Sequence, residues 1–147
     1  TAQIIGRHFQ MEDRFESVLT EIDYGAWEGL SSEEIASQWP REYADWTEKS
    51  AWAEDIFEGT PPLSAIEEWI ACLKNTHRPG ETVLGVSSNG LIRFFYALSK
   101  QEWDRLSQER QMEALKVKTG HFCELLLGDR NLEIKRWNAS PQSIQTP

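Results

Sequence analysis

The run Thr82-Val83-Leu84-Gly85-Val86 constrains the fold most: it is uncharged, mostly β-prone, and lies between two segments of helical periodicity. Such a run reads as a strand covered on both faces, the environment a parallel sheet provides. Ahead of it, Ile66, Trp69, Ile70 and Leu73 recur at i, i+3, i+4 and i+7, predicting a helix over 64–77 that Arg78-Pro79-Gly80 closes. Behind it, the turn Ser87-Ser88-Asn89-Gly90 opens a second amphipathic helix through Leu91, Ile92, Phe95 and Leu98. Helix, buried strand, small-residue turn and helix together predict an α/β domain with a mostly parallel sheet.

The length of 147 residues suits one domain spanning 1–147. Four of the seven Trp (Trp27, Trp39, Trp46 and Trp52) fall among acidic residues in or beside a stretch of about 30–60 that reads as a helical excursion. Ser31 or Ser32 caps a short helix through Ile35, and Pro40 separates it from another through Tyr43 and Trp46. The aromatic rings there either pack a small subdomain against the core or form a lid over a substrate. Farther on, Gln101–Glu113 is polar with Trp103 and Leu106 facing inward. Phe122–Leu127 and Leu132–Trp137, joined by Gly128-Asp129-Arg130-Asn131, read as a hairpin.

Charge removes other classes. With 15 Lys+Arg against 24 Asp+Glu, the net charge of -9 repels phosphate backbones, so nucleic acid is not an expected partner. No apolar run approaches the roughly 18 residues of a membrane span, and the opening residues lack the cationic start and apolar stretch of a signal peptide. A soluble, cytoplasmic protein is expected, with Cys72 and Cys123 as reduced packing residues. His8, His77 and His121 have no paired metal-ligand spacing, and neither metal nor cofactor is expected.

Chemistry concentrates in two places. Glu21, Asp23 and Glu28 lie around Gly25 and Gly29, whose backbone freedom permits close approach. A carboxylic acid there protonates a leaving group where its surroundings raise its pKa; a solvated acidic loop has the same composition. The other place is Val86-Ser87-Ser88-Asn89-Gly90, at the carboxyl end of the expected strand. There a helix N-terminus offers free N–H groups to an anion, and the same residues also suit an ordinary capped connection. Ser87 on a nucleophile elbow is a further reading, although Asn89 stands where Gly-x-Ser-x-Gly ends in glycine.

Taken in order, Leu19-x-Glu21-x-x-x-Gly25-x-Trp27-Glu28-Gly29 and Val83-x-x-Val86-Ser87-Ser88-Asn89-Gly90-Leu91-Ile92-Arg93 resemble the histidine phosphatase superfamily, the phosphoglycerate mutase-like proteins. That family reads Leu-x-Glu, Gly-x-Trp-Glu-Gly and later Val-Ser-His-Gly-Gly-Val-Ile-Arg. Thr1-Ala2-Gln3-Ile4-Ile5 is similar to its Thr-Ala-x-x-Ile helix. The resemblance implies a three-layer α/β/α sandwich and phosphoryl transfer or hydrolysis of small phosphate esters through a phosphohistidine.

Carried over by residue, the resemblance makes Glu21 the proton donor, places Ser88 where the family has its second catalytic His, and puts Ser87 and Asn89 against the substrate. The nucleophilic His of the family's Arg-His-Gly strand has no counterpart in the chain. The expectation is a core lacking its first strand, the gap filled by an upstream segment or by a second copy in a homodimer. Phosphohistidine chemistry needs an activated nucleophile, so the chain as it stands is expected to be inactive. The alternative function is a pseudo-phosphatase that binds a ligand or partner, with the Trp-rich 27–52 region as contact surface.

Overall fold

The computed structural model describes residues 1–109, 115–128 and 132–143. Among these residues six helices and one hairpin follow in order: α1 (Ala2–Phe9), α2 (Ser32–Gln38), α3 (Pro40–Lys49), α4 (Leu63–Thr76), α5 (Asn89–Ala97), α6 (Lys100–Glu109), β1 (Phe122–Leu127) and β2 (Leu132–Ala139). Short 3-10 turns occupy Ser17–Leu19, Gly25–Trp27 and Pro141–Ser143.

The excursion forms as its caps dictate. Ser31 Oγ accepts from Glu34 N at 3.3 Å while Glu34 Oε2 accepts from Ser31 N at 2.8 Å, a reciprocal capping box that starts α2. Pro40 then occupies the first turn of α3, where its missing N–H costs no hydrogen bond. The α3 helix stops at Ser50, whose φ of 52° is left-handed.

Phe57 organises the interior. Tyr24, Trp27, Trp46 and Trp52 meet its ring nearly edge-on at centroid distances of 5.2, 4.9, 5.1 and 5.1 Å. Edge-to-face geometry sets the positive rim of one ring against the negative face of the next. Ile66 and Ile70 of α4 and Leu91, Phe94 and Phe95 of α5 complete this core. Trp27 and Trp46 are buried, and Trp39 and Trp52 pack partly buried against the same cluster, so packing accounts for these rings rather than a lid or an exposed contact face. A second core joins Tyr96, Leu106 and Leu115 to Trp103, Ile134 and Trp137, with Tyr96 and Trp137 edge-on at 4.8 Å. It seats the hairpin on α5 and α6.

Three expectations need correction. The described sheet is the antiparallel pair β1–β2, with Leu125 opposite Ile134 and Leu127 opposite Leu132, not a mostly parallel sheet. Residues 81–88 form no strand: a strand needs a ladder partner, none of the described strands lies alongside, and Val83 and Leu84 stand 42% and 54% exposed. Cys72 is exposed, since it falls on the outer face of α4 opposite Ile66 and Ile70, and is no packing residue. The predicted helices over 64–77 and from Gly90 match α4 and α5, and the hairpin matches β1–β2. The end of the polar Gln101–Glu113 segment and the tip of the Gly128–Asn131 turn lie outside the described residues.

Phe57→Ala removes the ring that four aromatic neighbours share. The expected loss is about 3–5 kcal/mol of stability, seen as a lower urea midpoint with an unchanged slope. A loss under about 1 kcal/mol contradicts a central role for Phe57.

Candidate active site

The acidic loop and the turn before α5 meet in space. Ser87 Oγ donates to the Leu19 carbonyl at 2.8 Å across 68 residues of sequence. Two backbone bonds, Ala26 N to Ile56 O at 3.3 Å and Glu58 N to Asp23 O at 3.2 Å, strap the loop to the chain around Phe57. Gly25 permits that strap: its φ is 51°, and a Cβ there would collide with the Ile56 carbonyl.

Glu21 is exposed, and its Oε1 accepts from Ile22 N at 3.0 Å. The same oxygen and the Tyr24 hydroxyl both approach Gly90 so closely that a Cβ on Gly90 would strike them. A carboxylate and a phenol therefore press against the first turn of α5, where backbone N–H groups have no intrahelical acceptor. Ser88 is the N-cap of α5 but makes no capping bond; its Oγ is buried without a partner. Asn89 spends its amide oxygen on Val117 N at 2.8 Å, tying α5 to the approach to β1. Glu21 and Ser87–Gly90 thus lie together, with the Ser87 proton directed to a carbonyl and the Asn89 oxygen engaged in the scaffold. A nucleophilic Ser87 needs a base for that proton, and the neighbour it reaches is an amide carbonyl, which is not one.

Sequence reading gave no role to Tyr24 and Arg93. Arg93 is 4% exposed: its Cζ lies 4.2 Å from the Trp46 ring centroid, and Nη1 donates to the Trp46 carbonyl at 3.3 Å and to Ser50 Oγ at 3.4 Å. Burial lowers its pKa, with Tyr24 and Glu21 opposing. Burial, reinforced by Glu21 and opposed by Arg93, pushes the Tyr24 hydroxyl up to about 12. Arg93 follows the turn within the second motif, the one available hint. Tyr24, between Asp23 and Gly25, had no periodic signal.

Two clefts flank this junction. One of about 510 Å³ is lined by Tyr24, Trp27, Glu28, Gly29, Leu30, Ser32, Ile35, Tyr43, Trp46, Thr47, Arg93 and Lys116. The other, of about 330 Å³, is walled by Glu21, Asp23, Glu58, Trp52 and Leu91 with the loops at 17–20 and 59–62. None of the three His lines either cleft: His8 is on α1, His77 caps α4 beside Thr76, and His121 precedes β1. Among the described residues no group of His, Cys, Asp and Glu could hold a metal ion, and no helix is long and apolar enough to cross a membrane.

A family model described as histidine phosphatase superfamily (branch 1) matches residues 1–140. No curated protein matches the chain.

Two outcomes follow from this packing. Gly90→Ala drives a methyl into the Tyr24 hydroxyl and the Glu21 carboxylate, and costs about 1–3 kcal/mol. In a Tyr24→Phe background the cost is smaller, because the hydroxyl is gone; additive losses in chemical denaturation contradict the contact. The folded Tyr24 keeps its proton up to pH about 12, whereas an unfolded tyrosine releases it near pH 10. Its contribution to stability is therefore complete below about pH 10 and is lost as pH rises through about 12. Tyrosinate absorbance should show a late step that Tyr24→Phe removes; a midpoint near 10 for all three Tyr overturns the assignment.

Proposed function

The chain belongs to the histidine phosphatase superfamily, and from that premise we propose that this site acts on small phosphate monoesters, with Glu21 as proton donor to the leaving alcohol. Ser88 and the first-turn N–H groups of α5 hold the phosphoryl oxygens, flanked by Ser87 and Asn89. In the reaction an imidazole nitrogen bonds to phosphorus, the ester P–O bond breaks, and the departing alkoxide takes its proton from Glu21. Water then displaces the phosphoryl group from the imidazole. Since His8, His77 and His121 lie elsewhere, we assign the nucleophile to a histidine outside these 147 residues.

The convergence of Glu21 on Gly90, beside the unpartnered Ser88 hydroxyl, carries this reading. It sets an acid next to a ready anion-binding helix end. A second reading, binding without turnover, is favoured by the neutral hydroxyl of Ser88, since charge-assisted hydrogen bonds to phosphate are roughly twice as strong as neutral ones.

The test compares leaving groups in protein extended upstream to include the nucleophile strand, with the 147-residue chain expected to be inactive. Glu21→Gln should lower kcat for alkyl phosphates by roughly 10²–10⁴ and affect p-nitrophenyl phosphate far less, because nitrophenolate leaves without a proton. Equal losses on both substrates remove Glu21 as the acid. Phosphate binding by the extended protein with no turnover selects the second reading.

A further inference from the structure

The two clefts beside the Glu21 and α5 junction differ in charge sign. The smaller is lined by the carboxylates of Glu21, Asp23 and Glu58 and by no cation, so it repels an anionic ligand. The larger sets Arg93 and Lys116 against Glu28 alone, a local excess of positive charge on a chain of net charge -9. At about 510 Å³ it falls within the size range of small-molecule sites.

The walls specify more than sign. Half-buried Tyr43 and Ile35 line the cleft beside the buried Trp27 and Trp46, Arg93 lies buried on the Trp46 ring face, and Lys116 is exposed. Trp27 is 4% exposed, and its indole Nε1 has no partner. Tyr24 and Arg93 connect this cleft to the acid, since both line it and both feel the charge of Glu21.

We propose that this larger cleft binds the alcohol portion of the substrate, and that this portion is a planar or aromatic group bearing an anion of its own, such as a carboxylate. Its description as substrate rests on the phosphatase reading above; the binding does not. The half-buried Tyr43 ring covers the planar body, exposed Lys116 meets the anion, and buried Arg93 supplies a fixed positive field.

Calorimetry and ligand-observed NMR on the 147-residue chain test this with three probes: 4-hydroxybenzoate, its neutral methyl ester, and cationic tyramine. Saturable one-site binding is expected, tightest for 4-hydroxybenzoate and weaker with added salt. The Trp27 indole N–H resonance should move on binding. Lys116→Ala should weaken 4-hydroxybenzoate binding roughly two- to five-fold, and Lys116→Arg should restore it. As Lys116 is exposed, both variants are expected to fold. Absence of saturable binding, equal affinity for the three probes, or indifference to Lys116→Ala overturns the proposal. No turnover is measured, so an inactive extended protein with intact 4-hydroxybenzoate binding fails only the phosphatase reading. An active phosphatase without that binding fails only this inference.

Discussion

The edge-on seating of four aromatic rings around Phe57 is the contact on which the rest depends. Tyr24 and Trp27 come from the acidic loop, Trp46 from α3 and Trp52 from the segment after it, so one phenyl ring joins three stretches with little backbone pairing between them. In a fold whose described sheet is a single hairpin, side-chain packing does the work that ladders do elsewhere. Trp46 also stands at 6.2 Å from Phe94, extending the cluster to α5, the helix whose first turn borders Glu21.

That packing permits a buried cation. A guanidinium withdrawn from water without compensation is costly, and Arg93 is compensated in part by neutral groups, a carbonyl, a hydroxyl and the face of Trp46, while its Nε is buried without a partner. Neutral partners leave its charge uncancelled, so its field reaches Tyr24 and Glu21, as their opposing influence on its own pKa reflects. A direct carboxylate pair would have consumed that field. Among the described ion pairs the partners are otherwise exposed or half-exposed, such as Lys49 with Asp45 at 2.6 Å, and such pairs contribute little to stability.

Features with local causes were legible in the sequence. The capping residue Ser31, the helix-starting Pro40, the periodic face of Ile66 and Ile70 and the closing hairpin all appear in place, because each follows from a few adjacent residues. The motifs around Glu21 and Ser88 were readable as patterns and gave the superfamily. What could not be read locally was pairing and partnership. Whether Val83 and Leu84 are covered depends on what lies beside them, not on their own β-propensity. The engagement of Asn89 with Val117 and of Ser87 with Leu19 likewise joins residues distant in sequence, which no periodicity encodes.

The same long-range contacts determine how rigidly the Glu21 loop is held. Glu21 is exposed, yet its loop has few ways to move: Ser87 grips the Leu19 carbonyl, the two backbone bonds to Ile56 and Glu58 fix the stretch beyond it, and Tyr24 is wedged between Phe57 and Gly90. Moving the backbone of this loop would require freeing Tyr24 from the aromatic cluster, so the loop opens with the core and not independently of it. In the phosphatase reading proposed above, a backbone held this way presents Glu21 to the leaving group from a position set by folding, the condition under which positioning lowers a barrier. The two glycines make it possible from opposite sides: Gly25 lets the loop backbone touch Ile56, and Gly90 lets the Glu21 carboxylate touch the helix.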